Sequence, residues 1–247
     1  MECFLAGDDM AFYKFADRIF ELKNKYSYTD KLCADYAVLP HKPDYVIEVS
    51  EDEIMAERLD SAASAPPPYL EALAIYRKIC EKLSSEDCML MHSAVIEYEG
   101  KAYAFSAKSG TGKTTHVSLW QKAFGDGVRI INGDKPLVRR VKKGDGFEFI
   151  AYGTPWCGKE RKNINTSATL CGFFILERCE SNFAERAGAE AIPHIMGQML
   201  LKKDGVYLSS LMSFVDALIT NVPVYRLGVN MDIEAAIVAR NAVLSDE

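Results

Sequence analysis

The chain has 247 residues, enough to bury a large core in one domain or in a main domain with a smaller appendage. With 49% hydrophobic and 26% charged residues it has the make-up of a globular protein. Its net charge of −6 argues against a generalised nucleic-acid or anionic-membrane surface, so any attraction for phosphate must be local. The seven cysteines are scattered, odd in number and without a C-x-x-C pair, which speaks against a disulfide framework and against the paired ligands of a structural zinc site. The first ten residues lack the basic flank and apolar run of a signal peptide, and no stretch approaches the ~20 apolar residues that span a bilayer. The expectation is a cytoplasmic, reduced protein with neither nucleic acid nor membrane as partner.

Residues 1–60 read as a small α+β segment. Residues 12–22 are strand-like, 28–36 suit a short helix, and the alternation over 45–50 suits a strand. A mostly acidic stretch, 51–60, leads into residues 61–68, read as a linker because Pro66, Pro67 and Pro68 in succession disfavour both helix and ladder. Residues 69–247 then form the larger domain. It opens on an amphipathic helix over 69–83, with Leu70, Leu73, Tyr76, Cys80 and Leu83 on one face. A strand over 89–98, the tight turn Glu99-Gly100 and a strand over 101–106 make an antiparallel hairpin. A helix over 113–124 and a buried strand over 128–131 follow. Strands are expected over 137–141 and 147–152, and the apolar run 170–176 reads as a central strand. The remainder reads as mostly helical, with a strand over 222–227 and a final helix over 232–244.

The hairpin runs straight into Ala107-Lys-Ser-Gly-Thr-Gly-Lys-Thr114, which has the spacing of a P-loop with alanine at the usual first glycine. Gly110 and Gly112 let successive backbone N–H groups turn inward around an anion, and the helix that follows adds its positive N-terminal end. Lys113 suits the β- and γ-phosphates, and the Thr114 hydroxyl suits Mg²⁺. The candidate phosphate residues are therefore Ala107, Lys108, Ser109, Gly110, Thr111, Gly112, Lys113, Thr114 and Thr115. Asp134 lies just past the strand over 128–131, where a metal-binding carboxylate belongs in a nucleotide site. Asn132-Gly-Asp134 is equally well a plain turn.

The hairpin ending in Ser-Gly-Thr-Gly-Lys-Thr-Thr115, followed by Ile-Asn-Gly-Asp-Lys-Pro136, resembles the HPr kinase/phosphorylase and phosphoenolpyruvate carboxykinase superfamily, above all its small HPr-kinase-related members. Residues 108–115 are very like the carboxykinase loop. Met91-His-Ser93 is similar to the histidine-bearing strand before the loop in HPr kinases. The likeness covers roughly residues 88–160. It implies an α/β fold, a twisted mixed sheet with a carboxykinase-like P-loop core, preceded by the small α+β segment. It also implies that Lys113 and Thr114 handle phosphate and metal, that His92 lies beside the reaction centre, and that Asp134 is metal ligand or base for an incoming hydroxyl. The chain departs from the pattern at Gly133, which replaces the first of two aspartates, and at Thr115, which stands where HPr kinases have glutamate. The signature for docking their carrier protein is absent.

Residue types alone leave some readings open. A histidine in an apolar strand is as well a satisfied core residue as a catalyst. His116, in the first turn of the loop helix, reads as exposed or, as a neutral ring, as lining the site, and His194 carries no signal. Residues 153–163 hold Gly153, Gly158, Lys159, Arg161 and Lys162 after a strand end; they suit either a mobile basic clamp on phosphate, with Lys159 and Arg161 foremost, or a solvated turn with Trp156 packed down. The expected activity is a kinase that uses ATP, or another nucleoside triphosphate, with Mg²⁺ to phosphorylate a hydroxyl of an unidentified small molecule or protein. The alternative is a non-catalytic nucleotide-binding regulator or maturation partner. Either is compatible with a homo-oligomer.

Overall fold

A computed structural model describes residues 11–60, 64–108, 110–202 and 204–245, without the side chains of residues 59 and 60. The chain divides into two compact units, residues 1–82 and 83–247. In the first, β1 (Ala11–Phe15) and β2 (Arg18–Lys23) form a hairpin whose two turn residues, Ala16 and Asp17, both have positive φ (44° and 62°). That is the turn whose twist matches the strands it joins. After α1 (Ser27–Cys33), strand β3 (Tyr45–Glu48) pairs parallel with β2. Phe15, Phe20, Tyr36 and Ile47 are buried in this unit.

The acidic stretch is a helix, α2 (Glu51–Asp60). Its start is a capping box: the backbone N–H of Glu53 donates to Ser50 Oγ at 3.3 Å, and that of Ser50 donates to Glu53 Oε2 at 2.7 Å. Helix α3 spans Pro67–Ser84, so two prolines of the expected linker lie in its first turn. Proline is at home there, because the first helical N–H groups have no intrahelical partner to lose. Of the linker itself, residues 61–63 lie outside the described residues. Glu71 of α3, fully buried, accepts the backbone N–H groups of Lys25 (2.7 Å) and Tyr26 (3.1 Å) at the start of α1, which satisfies the carboxylate and the helix end together.

The second unit is an α/β structure around a mixed sheet. Its strands are β4 (Cys88–Leu90), β5 (Ala94–Tyr98), β6 (Lys101–Ser106), β7 (Val128–Asn132), β8 (Leu137–Lys143), β9 (Gly146–Tyr152), β10 (Ser167–Arg178), β11 (Phe183–Arg186) and β12 (Val224–Val229). The main path runs β4-β8-β9-β10-β6-β5-β7. The long strand β10 has β6 along one edge, in parallel. Its other edge is shared by β9, antiparallel at residues 167–169, and by β12, parallel at 173–178. Strand β11 extends the sheet beyond β12 within a region read from sequence as helical.

The helices are α4 (Lys113–Phe124), α5 (Ile192–Gly197), α6 (Gly205–Asn221) and α7 (Glu234–Leu244). Alternate residues of β6 serve opposite layers. Tyr103 and Phe105 pack with Trp120 of α4 and Ala235, Ala236 and Ala239 of α7. Ala102 and Ala104 face Ile195 of α5 and Leu211 and Phe214 of α6. Trp120 is the largest fully buried side chain, with its ring 5.4 Å from that of Tyr103 and 5.9 Å from that of Tyr98. Truncating such a residue typically costs about 3–5 kcal/mol. This packing fixes α4, and with it the glycine loop at its N-terminus.

Strand directions then bring three chain segments to one end of the sheet. Strand β5 runs antiparallel to both β6 and β7. The start of β5 therefore lies beside the ends of β6 and β7, which places residue 92, the glycine loop and residue 134 together.

Candidate active site

The glycine loop leaves β6 at Ala107, which is buried and is not among the residues with positive φ; alanine is accommodated at that first position for this reason. Gly110 (φ 79°) and Gly112 (φ 127°) occupy backbone conformations that side chains rarely adopt. Ser109 lies outside the described residues. Lys113 opens α4 with its side chain turned back over the loop, Nζ 3.4 Å from the Ala107 carbonyl oxygen. Thr114 and Thr115 stand exposed in the first turn of α4.

His92 does not lie within a strand, as the apolar run had suggested. The chain breaks at residues 91–93 because β4 pairs with β8 whereas β5 pairs with β6 and β7. Other elements take up the backbone of the break: the N–H of His92 donates to the Gln198 carbonyl (2.7 Å), and that of Ser93 to the Asp134 carbonyl (3.1 Å). The imidazole leaves the sheet at this gap. Its Nε2 lies 3.0 Å from Asp134 Oδ1 and 3.4 Å from Lys113 Nζ. Only a protonated Nε2 can donate to the carboxylate, so the Asp134 contact selects that tautomer.

Asp134 sits in a turn built by Asn132, whose Oδ1 accepts the N–H groups of Asp134 (2.8 Å) and Lys135 (2.7 Å). Asn132 is fully buried, and its amide donates to the carbonyl and hydroxyl of Thr154, each at 2.9 Å. Burial alone would raise the Asp134 carboxyl. The His92 hydrogen bond and the nearby charges of Lys135 and Lys113 outweigh it and hold the group below the usual carboxylate range. Lys113 is pushed down by its own burial, with the Asp134 charge opposing the shift. A lysine with a depressed pKa beside a single carboxylate is poorly compensated, and an added anion would stabilise its charged form.

Residues 153–163 pack on this turn. A Cβ at Gly153 would fall 1.9 Å from the Ile164 carbonyl oxygen and 2.8 Å from that of Ile131, so Gly153 is a close crossing of backbones. Residues 153–157 are buried, Trp156 among them, while Gly158, Lys159 and Arg161 are exposed. Gly158 has φ 82° and lies against Asp134, its would-be Cβ 3.1 Å from that of the aspartate. The strand-like part returns along the turn: Lys162 accepts the N–H of Gly133 (2.9 Å), and Asn163 bridges Asn132. This explains Gly133. A side chain there would meet the Cys157 carbonyl at 3.1 Å and that of Lys162 at 3.4 Å, so a second aspartate has no ready space.

Two neighbours of the loop had no signal in sequence. Arg178, at the end of β10, donates to the carbonyl oxygens of Gly110 (2.6 Å) and Thr111 (3.1 Å). Ser106, the last residue of β6, has its Oγ 3.0 Å from Nε2 of His194. A third histidine belongs elsewhere. His116 is buried and not exposed, with its Nε2 accepting the indole N–H of Trp120 at 3.1 Å and its ring centroid 4.6 Å from that of Phe105. The helix turns that face inward, beneath the loop.

For Mg²⁺ the donors at hand are the Asp134 carboxylate and the Thr114 hydroxyl. Among the described residues no group of three or more His, Cys, Asp or Glu could hold a metal. That set fits Mg²⁺, which keeps several waters and is usually bound through one or two protein oxygens plus substrate phosphates. No helix is long and apolar enough to cross a membrane among the described residues.

No family model and no curated protein matches this chain. Among solved structures it is similar to the HPr(Ser) kinase/phosphatase from Coxiella burnetii, with a TM-score of 0.36, 10% identity, and coverage of 64% of this chain and 92% of that one. A likeness of that degree says nothing about chemistry. The class that the fold itself defines is a mixed α/β protein with a glycine-rich loop between a strand and a helix of its second unit.

Proposed function

We propose that this protein is a phosphotransferase that takes Mg-ATP, or another nucleoside triphosphate, and passes the terminal phosphoryl group to a hydroxyl of a small molecule or protein. The observation that carries the reading is the convergence of Lys113, His92 and Asp134 beside the glycine loop, with contacts of 3.4 and 3.0 Å. Phosphoryl transfer asks a protein chiefly for positioning and charge neutralisation. The loop N–H groups and Lys113 bind the phosphates. Asp134, ionised at neutral pH, accepts the hydroxyl proton, and His92 fixes the orientation of its carboxylate. Mg²⁺, held by Thr114 and the phosphates, or by Asp134 in place of its role as base, would neutralise phosphate charge. Lys159 and Arg161, at the exposed tip of a loop packed on Asp134, are proposed to clamp the transferring group.

A non-catalytic nucleotide sensor is the second reading. It is favoured by Gly133, where the crowded backbone leaves the site one carboxylate. Incubation with γ-labelled ATP, a panel of hydroxyl compounds and cell lysate separates the two. The kinase reading expects label on an acceptor, whereas binding of nucleotide with no transfer and no hydrolysis would favour the sensor. The nucleotide reading itself expects tight binding of Mg-ATP that Lys113→Ala weakens by tenfold or more, on the order of one charge-assisted contact. No binding of ATP or GTP at millimolar concentration would end both readings.

A further inference from the structure

Helix α5 and its exit border the site, through the end of β6 and through the strand break at His92. Ser106 is fully buried and, by strand alternation, shares the face of Ala104, which α5 and α6 cover. There it meets His194 of α5 at 3.0 Å. The same segment holds the other histidine of the site by its backbone: Gln198, just beyond α5, accepts the N–H of His92 at 2.7 Å, and Met199 bridges Met91. One short stretch thus presents His194 directly and fixes the strand break that presents His92.

His194 is half-buried, and its Nδ1 makes no hydrogen bond among the described residues. Burial, then the nearby charges of Lys108 and Lys113, hold the imidazole below its ordinary range. The hydroxyl of Ser106 can donate to Nε2, which leaves the proton of the neutral ring on Nδ1. A ring so held, under the charges of two lysines of a phosphate loop, has an N–H donor without an acceptor among the described residues.

We propose that His194 is a phosphate-contacting residue of this site, fixed by Ser106 through Nε2 and donating from Nδ1 to an oxygen of the terminal phosphoryl group. The inference rests on the nucleotide reading above and adds a claim of its own: His194 distinguishes a triphosphate from a diphosphate. Lys113 and the loop backbone serve both nucleotides, whereas His194 serves only the longer one.

The test uses the full chain with ¹³C-labelled histidine rings. Addition of Mg²⁺ with a non-hydrolysable β,γ-imido ATP analogue is expected to shift the His194 ring resonances, and Mg-ADP to leave them near their free positions. By calorimetry, His194→Ala is expected to reduce the preference for the triphosphate analogue over ADP by about tenfold, the scale of one hydrogen bond to a charged group. Its ADP affinity should hold, and His194→Asn, whose amide N–H can stand near the position of Nδ1, should recover part of the preference. If the wild type binds the analogue while the His194 resonances stay still, the assignment is overturned, and the measurement needs no variant to fold. Equal losses of analogue and ADP in a folded His194→Ala variant would also overturn it, by marking His194 as structural. If the wild type binds neither nucleotide, the nucleotide reading fails and this inference fails with it.

Discussion

His116 carries its proton on Nδ1, because Nε2 accepts the indole N–H of Trp120. A second proton would set Nε2–H against that donor, and burial lowers the pKa to about 3. The unfolded chain, with an ordinary histidine, binds a proton below about pH 6.5, whereas the folded one does not until near pH 3. Stability from this group is therefore complete above pH 6.5 and is lost as the pH falls toward 3, by up to about 1.4 kcal/mol per pH unit. Urea unfolding at pH 7.5 and pH 5 should show a steeper loss for wild type than for His116→Phe. Equal slopes would mean that the ring is hydrated. The Asp134 pKa is lowered too, but there it is the charged form that the partners favour, so the group stays ionised well below neutrality. Asp134→Asn should leave nucleotide affinity within about tenfold and cut transfer by roughly 10²-fold, the scale of a lost general base. Full transfer by that variant would reduce Asp134 to a turn residue. Its place at a strand end was legible in the spacing of the chain; its partnership with His92 was not.

At the scale of elements, residues 153–163 have two parts with different physics. The stem is buried and crosses other backbone at Gly153, so Gly153→Ala should lower the melting temperature through an overpacking cost of about 1–3 kcal/mol or more. A melting temperature like that of wild type would show that the crossing relaxes freely. The tip, with Gly158, Lys159 and Arg161, is exposed and reaches solvent beside Asp134. Trypsin cleavage after Lys159, Arg161 and Lys162 should slow when Mg²⁺ and a non-hydrolysable ATP analogue are present. The triple alanine variant should lose turnover more than nucleotide affinity, since a clamp acts mainly in the transition state. Unchanged cleavage together with full turnover would leave the tip a solvated turn. Sequence marked this segment by its glycines and basic residues without telling the two glycines apart. Gly153 makes room for other chain, and Gly158 supplies a left-handed turn, a difference set by what lies across from each.

For the whole molecule, binding to the folded state alone adds stability by mass action, about 2.7 kcal/mol at a ligand concentration of 100 Kd. Mg-ATP should thus raise the melting temperature of wild type and raise that of Lys113→Ala clearly less, by about half the stabilisation if affinity falls tenfold; equal shifts in both would place the nucleotide elsewhere. Much of the architecture that supports such a site follows from local chemistry. Glu99 and Gly100, with φ of 52° and 77°, make the tight turn between β5 and β6 that their order announces, and the glycine loop sits between a strand and a helix as its spacing demands. These features depend on residues a few positions apart, so they are written in the chain itself. The break at His92, the crowding around Gly133, the inward turn of His116 and the pairing of Ser106 with His194 are of another kind. His92 meets Asp134 across 42 positions and Ser106 meets His194 across 88. Those meetings are decided by which strands pair and which helix covers which face, and only the folded chain brings the groups within hydrogen-bonding reach.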